Sequence, residues 1–183
     1  AEAAVEKLKA IHPDAEVVGI SPNLGSFESV KEEFDKVEKQ FGRIDILVNN
    51  AGVSESTPFT SYTEADFDRV IDLNVKGVFN ATRAVVDGMI KNHSGVVLNT
   101  SSMVSISGQP SGFAYPASKF AVNGTTISLA RELGPKGIRV NAVAPGITES
   151  RSEKRDRADD RTDSASQTRT AGRHCKCICI SCI

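Results

Sequence analysis

Ile44-Asp45-Ile46-Leu47-Val48-Asn49-Asn50-Ala51-Gly52 decides the fold. Apart from Asp45, its first five residues are apolar and mostly β-branched, without alternating polar positions. A strand of that composition belongs in a parallel sheet covered on both faces. The run ends in two amides and two small residues, which suit a turn that other groups approach closely. Residues 95–99 and 139–144 repeat the pattern, the second closed by Pro145-Gly146, and 16–20 reads as a shorter strand.

Helical spacing fills the intervals. Val5, Leu8 and Ile11 share one face of a segment over 1–11, and Phe27, Val30, Phe34, Val37 and Phe41 share a face over 27–41, with Gly42 as a natural stop. Lys31, Glu32, Glu33, Lys36, Glu38 and Lys39 form its solvated side. Thr63-Glu64-Ala65-Asp66 is a capping box that opens a long helix to about residue 91. A further helix over 115–133 stops at Gly134-Pro135. Strands alternating with long helices give an α/β fold, a doubly wound parallel sheet, over residues 1–149. Ligands of such sheets sit beyond the C-terminal strand ends, which directs attention to residues 21–25, 49–52, 100–105 and 145–149.

The bulk numbers narrow the function classes. The chain has 183 residues, a net charge of −1 and 39% hydrophobic residues, as one globular domain does. No apolar run approaches the roughly 20 residues of a membrane span. No basic patch suggests nucleic acid, and the first residues do not read as a secretory signal. A cytoplasmic metabolic domain is the expectation. His12 and His93 lie in loop contexts without Cys or carboxylates at ligand spacing, and the four cysteines crowd into 175–182, so no metal site is expected.

Chemistry concentrates in Tyr115-Pro116-Ala117-Ser118-Lys119. Tyr and Lys four apart project from one helix face. A phenol ionises near pH 10 in water, too high for ready proton exchange at neutrality, and a neighbouring ammonium favours the phenolate. Such a pair could protonate a carbonyl oxygen or take the proton back. Alone, the pattern reads more simply as a surface Tyr/Lys pair. Its setting is specific: Asn49-Asn50-Ala51-Gly52 ends one strand, and Asn74 lies inside Leu73-Asn74-Val75-Lys76-Gly77. Ser102 stands thirteen positions before Tyr115, and Arg139-Val140-Asn141-Ala142-Val143-Ala144-Pro145-Gly146 follows.

These ordered motifs, over about residues 1–149, resemble the short-chain dehydrogenase/reductase family. The resemblance implies a Rossmann-like fold, NAD or NADP as cofactor, and interconversion of a carbonyl and a secondary alcohol. By motif position it implies Tyr115 as general acid/base and Lys119 as the residue that favours its phenolate and binds the nicotinamide ribose. Ser102 would polarise the substrate oxygen, and Asn74 would hold a water linking Lys119 to solvent. Asn50, Ala51 and Gly52 would lie beside the ribose. Asn23-Leu24 stands where the family has an Asp-Val/Leu pair at the adenine, the amide replacing a carboxylate. Pro145, Gly146 and Thr148 would cover the nicotinamide. Within the family, Gly108-Gln109-Pro110-Ser111-Gly112 and 131–140 look most like bacterial 3-oxoacyl-acyl-carrier-protein reductases. Hydroxysteroid and sugar-alcohol dehydrogenases share the same core. The substrate would be a small-molecule or acyl-carrier-bound carbonyl, and the parent protein a homotetramer built through 63–91 and 115–133. Phe59, Met103 and Phe113 read either as pocket lining or as core.

The sequence departs from the family at both ends. The glycine-rich turn that cradles a pyrophosphate at a helix N-terminus occurs nowhere in the 183 residues. Strands 1 and 2 of the family order 3-2-1-4-5-6-7 are likewise unaccounted for, which would leave strand 44–48 with an unpaired apolar edge. The chain is therefore expected to be a fragment, without dinucleotide binding of its own. Residues 150–183 look foreign to the domain: 152–173 are rich in Arg, Asp, Ser and Thr, as in disorder. Back-translating 172–183 one nucleotide later permits the string EDIANAYVFLAS, which resembles the family's C-terminus. A shifted reading frame is the expectation there, and the coding DNA tests it.

Overall fold

A computed structural model describes residues 1–146 and 177–181. Its elements run α1 (Glu2–Ile11), α2 (Phe27–Phe41), β1 (Ile46–Asn49), α3 (Glu64–Ile71), a π turn (Asp72–Lys76), α4 (Gly77–Lys91), β2 (Gly95–Thr100), α5 (Val104–Ser107), α6 (Ala114–Leu133), β3 (Ile138–Pro145) and β4 (Cys177–Ser181). Single 3₁₀ turns cover Phe59–Ser61 and Gly134–Lys136. The sheet order is β1-β2-β3-β4. β1, β2 and β3 are parallel, with Val48 opposite Leu98 and Leu98 opposite Asn141.

The helices start and stop where local chemistry directs. Ser26 caps α2 by accepting from the Ser29 N–H, and Gly42 ends it with φ 87°. At α3, Thr63 Oγ1 accepts from the Asp66 N–H at 3.2 Å while Asp66 Oδ2 accepts from the Thr63 N–H at 3.2 Å, closing the expected capping box. The Thr63 hydroxyl, 2.6 Å from Asp66 Oδ2, and after it the Thr63 N–H hold the Asp66 carboxyl below its ordinary value. Thr63→Ala is expected to lower unfolding free energy by about 1 kcal/mol, read as a drop in urea midpoint at constant slope.

One face of the sheet carries the core. Leu47, Val97 and Val140 point under α2, α4 and α6, against Val30, Val85 and Met89. Val97 is fully buried, worth about 1.5–3 kcal/mol relative to an exposed side chain. A polar seam crosses this layer: Asn49 Nδ2 donates to Asn99 Oδ1 at 2.9 Å, and Asn99 Nδ2 donates to Thr126 Oγ1 at 2.9 Å. Because Asn99 and Thr126 are fully buried, the first bond ties β1 to β2 and the second fixes how α6 sits on β2.

Four expectations need correction. Residues 16–20 form no strand, because a strand needs a hydrogen-bonded neighbour and none among the described residues pairs with this segment. The second face of the sheet is open at β1 among the described residues, where Ile46 is 64% exposed and Val48 54%, while the corresponding positions of β2 and β3 are mostly half-buried. The helix expected over 63–91 is interrupted by the π turn. The tail, expected to be without structure, includes β4, which pairs antiparallel to β3 with Ile180 opposite Ala142. Thr148, residues 150–173 and most of the segment read as frameshifted lie outside the described residues. No helix among those described is long and apolar enough to cross a membrane.

Candidate active site

The C-terminal ends of β1 and β2 meet the first turns of α6. β1 delivers Asn50, Ala51 and Gly52, all exposed, and β2 delivers Thr100, Ser101 and Ser102. Two bonds hold this end of the sheet together: the Ser101 N–H donates to Val143 O at 2.8 Å and the Met103 N–H to Pro145 O at 3.0 Å. Asn50 Oδ1 accepts from Thr100 Oγ1 at 3.1 Å, tying the two strand ends.

Lys119 is the unusual group. Its side chain rises from α6 into the protein, where the residue is 5% exposed. Its ammonium donates to Thr100 O at 2.8 Å and lies 5.8 Å from the centre of the Tyr115 ring. No carboxylate pairs with it among the described residues. Burial pushes its pKa below the ordinary lysine value, because the charged form loses hydration. An ammonium has three donors, and one bond is made here. Two remain for a ligand on the open shelf of Asn50, Ala51 and Gly52, and a vicinal diol such as a ribose fits that demand.

Asn74 sits in the π turn and is fully buried. Its Nδ2 donates to Val53 O and Ser118 Oγ, each at 2.9 Å, and its Oδ1 accepts from the Val53 N–H at 2.8 Å. Ser118 Oγ in turn donates to Tyr115 O at 2.7 Å. Both amide hydrogens are thus used within the protein, so a water held by this side chain would bind at Oδ1. Gly52 keeps that position open. A Cβ there would stand 3.1 Å from Asn74 Oδ1 and 3.7 Å from Lys119 Nζ.

The two neighbouring serines differ sharply. Ser101 is buried, and its hydroxyl faces Ser105 Oγ at 3.2 Å and Lys119 O at 3.3 Å. Ser102 is partly exposed and accepts only a long 3.4 Å contact from the Val104 N–H, its own hydrogen uncommitted among the described residues. Spacing and environment therefore favour the same serine.

The remaining candidates are more scattered. Asn23 Oδ1 accepts from the Gly25 N–H at 3.0 Å, a local turn that leaves one lone pair, while Leu24 O accepts from Asn80 Nδ2 at 2.7 Å. Pro145 ends β3 and Gly146 follows it. Phe59, 72% exposed, and Phe113, 39% exposed, are not core; their rings meet edge to face at 5.0 Å. Sequence reasoning missed Ser118, Thr100 and Val53, which position the named residues. Two of the three act through main-chain atoms, which leave no side-chain signature.

The family described as short chain dehydrogenase matches residues 1–161. A 3alpha-hydroxysteroid dehydrogenase from Mediterraneibacter gnavus is 57% identical over 145 residues, 79% of this chain and 58% of the relative. A 3-oxoacyl-[acyl-carrier-protein] reductase from Thermotoga maritima is 47% identical over 127 residues, 69% of this chain and 52% of the relative. Among solved structures, NAD+-bound xylitol dehydrogenase superposes with a TM-score of 0.78 at 36% identity, covering 85% of this chain and 62% of that one. The chain thus spans between half and two thirds of the length of these proteins.

Proposed function

Because the chain belongs to the short-chain dehydrogenase family, we propose that the complete protein interconverts a carbonyl and a secondary alcohol, with NAD or NADP as partner. The observation that carries this reading is the buried Lys119 ammonium, bound to one carbonyl, one helical turn from Tyr115 and facing an open shelf. A nicotinamide dinucleotide, when bound, supplies or accepts the hydride at the reacting carbon.

The chain's own residues divide the remaining work. Lys119 holds the ribose hydroxyls with its two spare donors, while Asn50, Ala51 and Gly52 admit the sugar. Asn23 and Leu24 would serve the adenine, and Pro145 and Gly146 the nicotinamide, with Thr148 following them in sequence. Tyr115 gives its phenolic proton to the substrate oxygen in reduction and takes it back in oxidation. The Ser102 hydroxyl donates to that same oxygen, stabilising the charge that develops there. The Lys119 charge favours the phenolate that Tyr115 leaves behind. Asn74 Oδ1 and Lys119 Nζ, separated by the gap at Gly52, are spaced to share a water that returns the proton.

Two substrate classes fit. The exposed apolar pair of Phe59 and Phe113, the latter two residues before Tyr115, suits an acyl chain or a fused ring system better than a polyol. A 3-oxoacyl thioester is one reading, with the carrier-protein reductase as its relative. A 3-hydroxysteroid is the second, favoured by the 57% identical relative. Turnover of the full-length protein on both classes, beside a sugar alcohol, separates them; activity confined to the polyol would overturn the apolar assignment.

The 183-residue chain by itself contains no glycine-rich turn to hold the pyrophosphate. Calorimetric titration with NADH and NADPH is expected to show no micromolar binding to it. A micromolar Kd for either would contradict the assignment of the missing turn as the main dinucleotide anchor.

A further inference from the structure

The segment that leads into Tyr115 is tied to the loop after β1. The Gly112 N–H donates to Thr57 O at 2.9 Å, and Gln109 Nε2 donates to Glu55 O at 3.0 Å and to Gly112 O at 2.8 Å. Gly112 has φ 74°, and a Cβ there would stand 2.2 Å from Glu55 O, so only glycine allows the two backbones this close. These ties end three residues before Tyr115.

Behind them lie two polar atoms that lack partners. Glu55 Oε1 and the Tyr62 hydroxyl are both buried without an aligned hydrogen bond, although Glu55 Oε2 accepts from the Thr57 N–H at 3.0 Å. One is an acceptor and the other a donor, and burying each alone is costly. The Tyr62 phenol is pushed up to about 12, first by burial and then by the Glu55 carboxylate, with Asp66 adding to the rise and Arg69 opposing it. Glu55 thus lies against Gly112 and Tyr62 against Phe113, each with a buried oxygen that lacks a partner. The Tyr62 ring also packs edge to face on Phe113 at 4.9 Å, and Phe67 stacks on Phe113 at 5.8 Å. Phe113 is the residue before α6.

We infer that Glu55 and Tyr62 form a latch that clamps the loop after β1 against residues 109–113 and so sets the position of Tyr115. Both are positioning residues, and the inference rests on the reading of Tyr115 as the proton carrier. The latch runs from the Glu55 carboxylate through the Tyr62 hydroxyl and ring to Phe113. Gln109 and Gly112 supply its second strap.

The chain has two tyrosines and no tryptophan, which makes the test direct. Chain labelled with 3-fluorotyrosine gives two ¹⁹F signals, assigned by Tyr62→Phe and Tyr115→Phe. Glu55→Ala should move both signals, and Glu55→Gln, which keeps an acceptor, should return them most of the way. Tyr62→Phe keeps the ring on Phe113 but removes the hydroxyl, so it should displace the Tyr115 signal even if Glu55→Ala fails to fold. Exchange of the Gly112 amide should quicken about tenfold in either variant. A Tyr115 signal that stays in place while Tyr62 responds would overturn the inference, as would two unmoved signals. Neither result touches the acid/base reading, which turnover of Tyr115→Phe decides separately.

Discussion

Tyr115→Phe in the full-length protein is expected to lower kcat by about 10²- to 10⁴-fold, the range that a positioned acid or base contributes, while cofactor affinity stays near wild type. The phenylalanine keeps the ring beside the Lys119 ammonium and leaves the Lys119 bond to Thr100 O untouched. Only the proton is removed. Ser102 cannot replace it, because a serine hydroxyl polarises an oxygen but gives up its proton far less readily. Steady-state kinetics with a fluorescence titration of the cofactor checks both halves. Near-normal turnover would refute the assigned role.

Asn74→Ala is expected to destabilise the fold by roughly 3 kcal/mol, counting about 1 kcal/mol for each of the three hydrogen bonds this side chain makes. It would remove the partner of the Val53 N–H and of Val53 O and take a donor from Ser118 Oγ, which keeps its bond to Tyr115 O. Against a total stability of about 5–15 kcal/mol the loss is large, and urea unfolding measures it. Because Ser118 Oγ leads on to Tyr115 O, kcat of the full-length protein should fall as well. A variant with unchanged stability would show that the π turn holds itself without this side chain.

Much of the parallel sheet was legible because its signals are local. The apolar run ending in Asn49-Asn50-Ala51-Gly52, the Gly42 limit of α2 and the Thr63–Asp66 box each act within a few residues. What stayed hidden depends on the rest of the molecule. Residues 16–20 have strand composition, yet no neighbour pairs with them. The π turn adds one residue to a helical repeat without disturbing the apolar spacing on either side, so periodicity passed over Asn74's surroundings. The pairing of β4 with β3 joins residues more than thirty positions apart and has no sequence signal at that range.

The site shows the same division. Tyr115, Lys119, Ser102 and Asn74 were readable as types at fixed intervals. That Lys119 is buried with a single carbonyl partner, that Ser101 is occupied where Ser102 is free, and that Tyr62 packs on Phe113 all depend on three-dimensional placement. Glu55 and Tyr62 carry no motif. Their roles emerge from two buried atoms that each lack what the other offers.

A crystal structure of the full-length protein with a nicotinamide dinucleotide and a ketone analogue tests the central claim most directly. The account requires the Lys119 ammonium on the ribose hydroxyls, with the Tyr115 and Ser102 hydroxyls both within hydrogen-bonding distance of the ketone oxygen. A dinucleotide bound away from Lys119, or a ketone oxygen that neither hydroxyl reaches, would contradict it.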